Sequence, residues 1–526
     1  MKVIVAEPID NSGLDLLKEA GHEVELAYNS TETELLDLIK TASGLIVRSG
    51  TSVTRTLIEA ASNLIIVGRA GVGIDNIDLD AASDNGVIVV NAPEGNILAA
   101  AEHTVAMTFA IARKIPQAHI SLNAGKWEKK NFIGLELNGK TAGIVGLGRV
   151  GQEVAKRFLS LGMNIVAFDP YISQERADQL GITLSDLSTC IVQADVLTIH
   201  TPLTPETKDL IGKEELKKLK GGYLINCARG GIVNELALAE AISNGVLAGA
   251  AIDVFSEEPV SPDNPLLGLQ NVIVTPHLGA STEAAQENVS LDVTKQVIAA
   301  LSGNPVENSL NSPSIDEATF SKIYPYIGLI ETAGNLAIQL LTKPVTSIEL
   351  TYSGEIASLD VSIATASALK GVFTSLEWRI NSVNALRVAQ ERGVSIQENK
   401  NPHIDGFQSL VSVTLRSNDK SICVECTVFA NDDPRIVRID GFRIDAIPSG
   451  HVLISRNIDS PGVIGFIGTV LGEHKINIAA MFNSRENIGG GALTVYNIDD
   501  PISEDIQKQL KSDDRITDIY YISLTK

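Results

Sequence analysis

Arg229, Glu258 and His277 place a guanidinium, a carboxylate and an imidazole just beyond the ends of three separate apolar runs, residues 223–228, 250–255 and 271–276. Together these groups can run an acid–base step on an oxygen that neighbours a carboxylate. A guanidinium grips a carboxylate through two parallel N–H···O bonds. An imidazole takes and returns a proton near neutral pH, and a carboxylate on its far nitrogen fixes the tautomer and favours the charged ring. We expect Arg229 to hold and polarise the substrate, His277 to move a hydroxyl proton, and Glu258 to hold His277. Taken singly, each is more often a solvated or capping residue; their shared position at strand ends gives the trio its weight.

A hydroxyl carbon that loses its proton to a base must also lose a hydride, and residues 141–152 offer a seat for an acceptor. The run 142–145 is apolar, Gly146, Gly148 and Gly151 follow in G-x-G-x-x-G spacing, residues 154–161 are amphipathic, and a second apolar run, 164–168, ends at Asp169. The glycines permit a tight turn, a close approach to a pyrophosphate and close helix–strand packing, and the helix start offers free N–H groups to the phosphates. Asp169, about 20 residues on, would accept from ribose hydroxyls and repel a 2′-phosphate. The expected cofactor is therefore NAD rather than NADP.

These residues need a scaffold, and the alternation of short apolar runs with helical patterns predicts parallel sheets with crossover helices. In residues 1–98 the runs are 3–6, 24–26, 45–47, 64–68 and 87–90. Arg48 and Ser49 follow one, Arg69 another, and Asn96 closes the loop after the last. Ligands of open α/β sheets bind at the C-terminal strand edge, so Arg48 and Arg69 suit a carboxylate or phosphate there. Residues 97–113 read as a long helix stopped by Pro116 and passing into the nucleotide-binding unit. Lys129, in the basic and aromatic loop 125–132, is a further candidate for an anion. Asn234 is a plausible helix cap, and Asp253 is expected near the nicotinamide side, where it would counter positive charge.

At 526 residues the chain suggests three or four domains. Lys plus Arg number 42 against 64 Asp plus Glu, a net charge of −22, which argues against a nucleic-acid surface. An anionic substrate therefore needs a local group of arginines. Four cysteines are too few for a disulfide scaffold. Cys423 and Cys426 spell C-x-x-C, yet in a strand they point to opposite faces, so no metal or redox pair is expected. No leader or membrane-length apolar run is evident, and the expectation is a cytoplasmic protein.

Residues 146–151, 195–204, 219–235, 258–259 and 275–280 resemble the D-2-hydroxyacid dehydrogenases, a likeness that spans about the first 310 residues. The resemblance implies a Rossmann-type cofactor domain (99–286) inserted in a flavodoxin-like substrate domain (1–98 and 287–310), both doubly wound α/β. It carries the catalytic roles onto Arg229, Glu258 and His277. It also implies that Val72, Arg149, Val150, Thr201, Cys227, Ala228, Arg229, Asp253, His277, Leu278, Gly279 and Ala280 line the cofactor site. Arg48, Ser49, Arg69, Asn96 and Lys129 fall on the substrate side.

About 200 residues follow that this chemistry does not require. Residues 303–313 read as a linker, and 318–447 as an intervening α+β domain without a catalytic set. Residues 451–526 give strand, helix, strand, strand, helix, strand, a ferredoxin-like βαββαβ unit. That unit resembles the ACT domains that bind amino acids, with Asn457, Asp459 and Asn477 as the matching effector candidates. This combination resembles the branch of the family that oxidises 3-phosphoglycerate with NAD at the entry to serine synthesis, commonly as serine-inhibited homotetramers. Two other readings stay open at this point: a glyoxylate or hydroxypyruvate reductase, and a non-catalytic NAD sensor of the corepressor type.

Overall fold

Strands that are buried on both faces must be apolar throughout, and most of the short runs in the first half of the chain meet that condition; the edge run 23–26 carries two glutamates and is only partly buried. In the computed structural model, which describes residues 1–374, 380–430 and 432–524, the first five are β1 (Lys2–Val5), β2 (Glu23–Leu26), β3 (Gly44–Val47), β4 (Ile66–Arg69) and β5 (Ile88–Asn91). They form a parallel sheet in the order β2-β1-β3-β4-β5, the flavodoxin-like order.

The second sheet holds β6 (Thr141–Val145), β7 (Asn164–Phe168), β8 (Thr183–Leu184), β9 (Val196–Ile199), β10 (Tyr223–Asn226), β11 (Gly249–Ile252) and β12 (Val272–Val274). All of its pairings are parallel, in the order β12-β11-β10-β9-β6-β7-β8. Strand order reverses at β6, so the crevice of a doubly wound sheet opens there, directly above the glycine turn.

Two helices join the sheets. Helix Ile97–Ala112 leaves β5 and buries Ala101, Met107 and Ile111 against the second sheet. It ends where expected, but the chain does not stay irregular. Lys114 turns left-handed (φ 52°), and a second helix, Ile115–Asn123, starts with Pro116 in its first turn, a position where proline lacks nothing the helix needs. Helix Glu283–Leu301 returns to the first sheet and buries Val289, Val293 and Val297 among Val3, Val5 and Ile46.

The third sheet is mixed. It consists of β13 (Ser347–Gly354), β14 (Ser395–Asn401), β15 (Ser409–Arg416), β16 (Ser421–Phe429), β17 (Asp433–Ile439) and β18 (Phe442–Ala446), in the order β14-β13-β15-β16-β17-β18. Cys423 and Cys426 lie in β16, and both are free, one half-buried and the other buried. The fourth sheet, β19 (His451–Ile458), β20 (Ile478–Arg485), β21 (Gly491–Ile498) and β22 (Ile516–Ser523), is antiparallel in the order β20-β21-β19-β22. That is the ferredoxin-like arrangement. One of its faces packs on its own helices, while Val452, Ile454, Leu493, Val495 and Ile522 join the core of the third sheet. Among the described residues no helix is long and apolar enough to cross a membrane.

Helices Glu317–Leu341 and Ser362–Phe373 cover the third sheet and touch backbone to backbone. A Cβ on Gly371 would lie 1.9 Å from the carbonyl oxygen of Glu331, whereas one on Gly328 would meet nothing within 4 Å. Gly371→Ala is therefore expected to destabilise the chain by about 1–3 kcal/mol through overpacking. Gly328→Ala, free of contact, should stabilise it by about 0.5–1 kcal/mol through helix propensity. Urea titrations followed by circular dichroism would read both; equal shifts for the two variants would refute the close-approach argument.

Candidate active site

The turn after β6 is shaped by what cannot fit. Gly146 has φ +96°, and a Cβ there would meet the His200 backbone at 2.8 Å; a Cβ on Gly151 would meet the carbonyl oxygen of Gly146 at 2.1 Å. Gly148 is different: a Cβ at that position would meet nothing within 4 Å, and the residue caps helix Arg149–Ser160 without any side-chain hydrogen bond. Open space thus lies before unpaired first-turn N–H groups, the arrangement that receives a phosphate. Thr201, beside Gly146, has a buried hydroxyl without a partner. Asp169 stands at the end of β7, its two oxygens accepting from the N–H groups of Leu147 (2.7 Å) and Tyr171 (2.8 Å). It braces the glycine turn, a task that spacing alone does not reveal. These residues fit a dinucleotide.

His277 and Glu258 meet as expected. Nδ1 of His277 lies 2.7 Å from one Glu258 oxygen, and the other accepts the Phe255 N–H at 2.9 Å. Burial works to raise the Glu258 pKa, but the hydrogen bonds from His277 and Phe255 outweigh it, and the carboxyl is held below its ordinary value. His277 itself adopts φ +54°. Asp253 is fully buried, and its carboxylate accepts from the Thr275 hydroxyl and from the Leu278 and Gly279 N–H groups, with the His103 ring close by. Its charge is thus spent on the turn that carries His277. Cys227 is a thiol pushed up to about 12 by burial and by the nearby Asp253 charge.

Arg229 follows β10 on a turn held by Asn226, which donates to the Arg229 carbonyl (2.9 Å) and accepts from the Ala228 N–H (3.1 Å). Its Nε lies 3.5 Å from Asp75. Arg69 is largely buried, and its Nε lacks a partner. Burial, then the charges of Arg229 and Arg48, lower its pKa to about 10 against the pull of Asp75 and Glu7. Three arginines from two sheets therefore share one field. Glu7 holds the Arg48 loop by accepting from the N–H groups of Arg48, Gly50 and Thr51, and Asn76 donates to the carbonyls of Arg48 and Thr51. Ser49 is exposed on that loop. Asn96 sits at the start of helix Ile97–Ala112 with no side-chain capping bond, and so is free to meet a ligand.

Val72 is fixed by Asn91, which donates to its carbonyl at 2.6 Å. Val150, next to Arg149 in the first helical turn, is half-buried. Arg149 pairs with Glu94 across the gap between the sheets at 3.1 Å. Ala280 follows Gly279 in the His277 turn and is half-buried. Lys129 stands on the exposed short turn Lys129–Phe132.

The three effector candidates do not converge within the chain. Asn457 and Asp459 lie at the end of β19, Asp459 paired with Arg485 (2.9 Å) and the Gly489 N–H (3.2 Å). Asn477 precedes β20 and donates to Asp499 at 2.8 Å. Asn457 pairs with Ala492, and Ile478 with Ile498, so the two ends are about 20 Å apart at strand spacing. Sequence reasoning missed Glu7, Asp75, Asn76, Asn226 and His103. Only Asn226 lies in a stretch whose pattern marks it; the others belong to loops and helices whose neighbours are set by the sheet order.

Residues 105–279 match the D-isomer specific 2-hydroxyacid dehydrogenase NAD binding domain, and residues 322–440 match the D-3-phosphoglycerate dehydrogenase intervening domain. The chain is 45% identical to the D-3-phosphoglycerate dehydrogenase of Archaeoglobus fulgidus, across 100% of both chains. It is 42% identical to that of Bacillus subtilis, across 99% of both. Among solved structures, formate dehydrogenase from Staphylococcus aureus in complex with NAD is 31% identical, with a TM-score of 0.53, over 58% of this chain and 97% of that one. The apo-structure of D-lactate dehydrogenase from Escherichia coli is 27% identical, with a TM-score of 0.53, over 59% of this chain and 100% of that one.

The depressed pKa of Arg69 sets a sign for stability. Below about pH 10 the folded chain holds a cation that the unfolded chain holds more readily, and this cost fades as pH rises from about 10 towards 12.5. Arg69→Leu is therefore expected to be more stable at pH 7–9 by on the order of 1 kcal/mol. Phosphate should raise the melting temperature of the parent and not of the variant. A variant that melts lower, or still responds to phosphate, would contradict the reading of Arg69 as an uncompensated cation.

Proposed function

The chain belongs to the D-3-phosphoglycerate dehydrogenase family, and on that premise we propose that it oxidises 3-phospho-D-glycerate to 3-phosphohydroxypyruvate, the committed step of serine synthesis. The observation that carries this reading is the shared field of Arg48 and Arg69, at the C-terminal strand ends of the first sheet, with Arg229, at those of the second, where the glycine turn also lies. A substrate with both a carboxylate and a phosphate needs more than one guanidinium, and the net charge of −22 makes a local excess of cations necessary.

The residues divide the work. Arg229 binds the substrate carboxylate, displacing its loose pairing with Asp75, and polarises the reacting oxygen. Arg48 and Arg69 take the phosphate, with Ser49 and Asn96 beside them. Because Glu258 occupies Nδ1 of His277, Nε2 is left to take the hydroxyl proton and to return it in the reverse direction. Glu258, kept ionised, holds the ring in that tautomer and stabilises its charged form. When bound along the glycine turn, NAD supplies the hydride acceptor. Asp169 orients the ribose and disfavours a 2′-phosphate, and Val72, Thr201, Cys227, Ala228, Asp253 and residues 278–280 enclose the nicotinamide end.

On this reading residues 1–98 and 287–310 form the substrate domain, 99–286 the NAD domain, 318–447 the intervening domain and 451–526 the regulatory domain, in a cytoplasmic enzyme. Exposed Ile115, Ile120, Leu122, Trp127 and Ile133 favour a homo-oligomer, a tetramer in our proposal, with Lys129 reaching towards a neighbouring copy. An effector that touched Asn477 together with Asn457 and Asp459 would also need a second copy.

Two measurements test the proposal. NADH formation should require 3-phosphoglycerate, and His277→Asn should lower kcat by about 10²–10⁴-fold without loss of NAD binding. Turnover confined to glyoxylate or hydroxypyruvate would remove the phosphate assignment, and no turnover with any of them would favour a sensor. Serine added to the assay should slow the parent and leave Asn477→Ala unaffected; rates unchanged up to saturating serine would end the effector proposal.

A further inference from the structure

The carboxylate of Asp253 is shared between two parts of the molecule. Three of its donors belong to the turn that carries His277: the Thr275 hydroxyl (2.6 Å) and the N–H groups of Leu278 (2.8 Å) and Gly279 (2.9 Å). The fourth group is the ring of His103, whose Nε2 lies 3.2 Å from Asp253 Oδ1. His103 sits on helix Ile97–Ala112, which carries the chain from the first sheet to the second. The proton count assigns the bond. The single hydroxyl hydrogen of Thr275 is committed to Asp253, so both oxygens near Nε2, Asp253 Oδ1 and Thr275 Oγ1 (3.4 Å), can only accept. Nε2 therefore carries the hydrogen and donates.

His277 needs such support. Its backbone is left-handed at φ +54°, a conformation that costs a non-glycine residue on the order of 1–2 kcal/mol and persists only when neighbours impose it. The backbone bond from the His277 N–H to the Asp253 carbonyl (2.9 Å) fixes one side of the turn, and the Asp253 carboxylate fixes the other. We propose that His103 is a positioning residue for the reaction: through Asp253 it holds the turn that aims the His277 imidazole and ties that turn to the helix crossing between the two sheets.

The ligand atoms of His103, Cys227 and Asp253 lie within 4.8 Å of one another. Oδ1 of Asp253 already meets three donors and a cation there would have to displace them, so the geometry points to a hydrogen-bonded clamp. The inference rests on the reading of His277 as the acid–base residue.

The test compares His103→Leu, which removes the donor, with His103→Gln, which returns an N–H. Misplacing a catalytic group by about 1 Å costs about 10²-fold, so kcat of His103→Leu should fall on that scale. KM for NAD should stay within about twofold, and the primary deuterium isotope effect from substrate labelled at the carbinol carbon should rise. His103→Gln should regain about tenfold of the lost kcat. Should His103→Leu fail to fold, Thr275→Val, which removes a different donor from the same carboxylate, undergoes the same comparison. An unchanged kcat in His103→Leu or in Thr275→Val while the parent turns over overturns the inference. So does an equal loss in the Leu and Gln variants that tracks their melting temperatures. No turnover by the parent would instead overturn the functional reading.

Discussion

Burying a guanidinium is costly, and the cleft of this protein is arranged around one that is largely buried. Arg69 ends β4, its Nε finds no acceptor, and two further guanidinium groups share its field. The surrounding backbone gives way to it: a Cβ on Gly71 would lie 1.5 Å from an Arg69 nitrogen, and one on Gly73 would lie 2.6 Å from an Arg229 nitrogen. Glu7 and Asp75 offset the charge without quenching it, because Glu7 is occupied with three backbone N–H groups and Asp75 is 3.5 Å from Arg229 and largely exposed. An anion that enters finds unsatisfied donors in a protein whose net charge is −22. A doubly anionic ligand would relieve that mismatch.

The opposite wall has the reverse polarity. Glu258 and Asp253 are both held below their ordinary pKa by donors that outweigh burial. Their negative charges serve different ends. Glu258 is spent on the imidazole and on the Phe255 N–H, whereas Asp253 is spent on the backbone that carries the imidazole. Arg229 stands near the seam of the two fields, where Gly230 passes so close to Phe255 that a Cβ would be 1.8 Å from its carbonyl oxygen. That contact locks the arginine turn against the loop leading to Glu258. The distribution suits a reaction in which an anion is held while a proton leaves for a neighbouring base.

Much of this is legible from sequence because parallel sheets obey strong rules. Apolar runs between helical repeats yield buried strands, their C-terminal edges collect the ligands, and Asn234 caps its helix by accepting the Ala237 N–H, as its type and place imply. What stays hidden depends on which strands become neighbours. Asp75 and Glu7 matter only once β4 and β1 are placed near β10, and His103 reads as one residue in an alanine-rich helix. The effector candidates depend on pairing as well. Asn457 and Asn477 belong to two segments of one resemblance, and antiparallel pairing through β21 places them at opposite ends of the sheet within one chain. The pattern of the tail suggests two separate units, while five residues of the fourth sheet complete the core of the third, a fusion that alternation patterns do not encode.

The insertion of one doubly wound unit in another explains why the two walls can work together. Only two chain crossings join them, helix Ile97–Ala112 outward and the segment before helix Glu283–Leu301 on the return. The His277 turn lies just before the second crossing, and helix Ile97–Ala112 lies against β10, β11 and β12, the strands that end in Arg229, Asp253 and the His277 turn. Any relative rotation of the two sheets must therefore pass through segments next to His277 and Arg229. The Glu94–Arg149 pair, which links the loop after β5 to the first turn of the glycine helix, spans the same gap. Both side chains are exposed, so the pair contributes little to holding the two sheets together. A ligand gripped by arginines of both sheets, Arg48 and Arg69 from the first and Arg229 from the second, would bridge that gap more firmly than the exposed pair does.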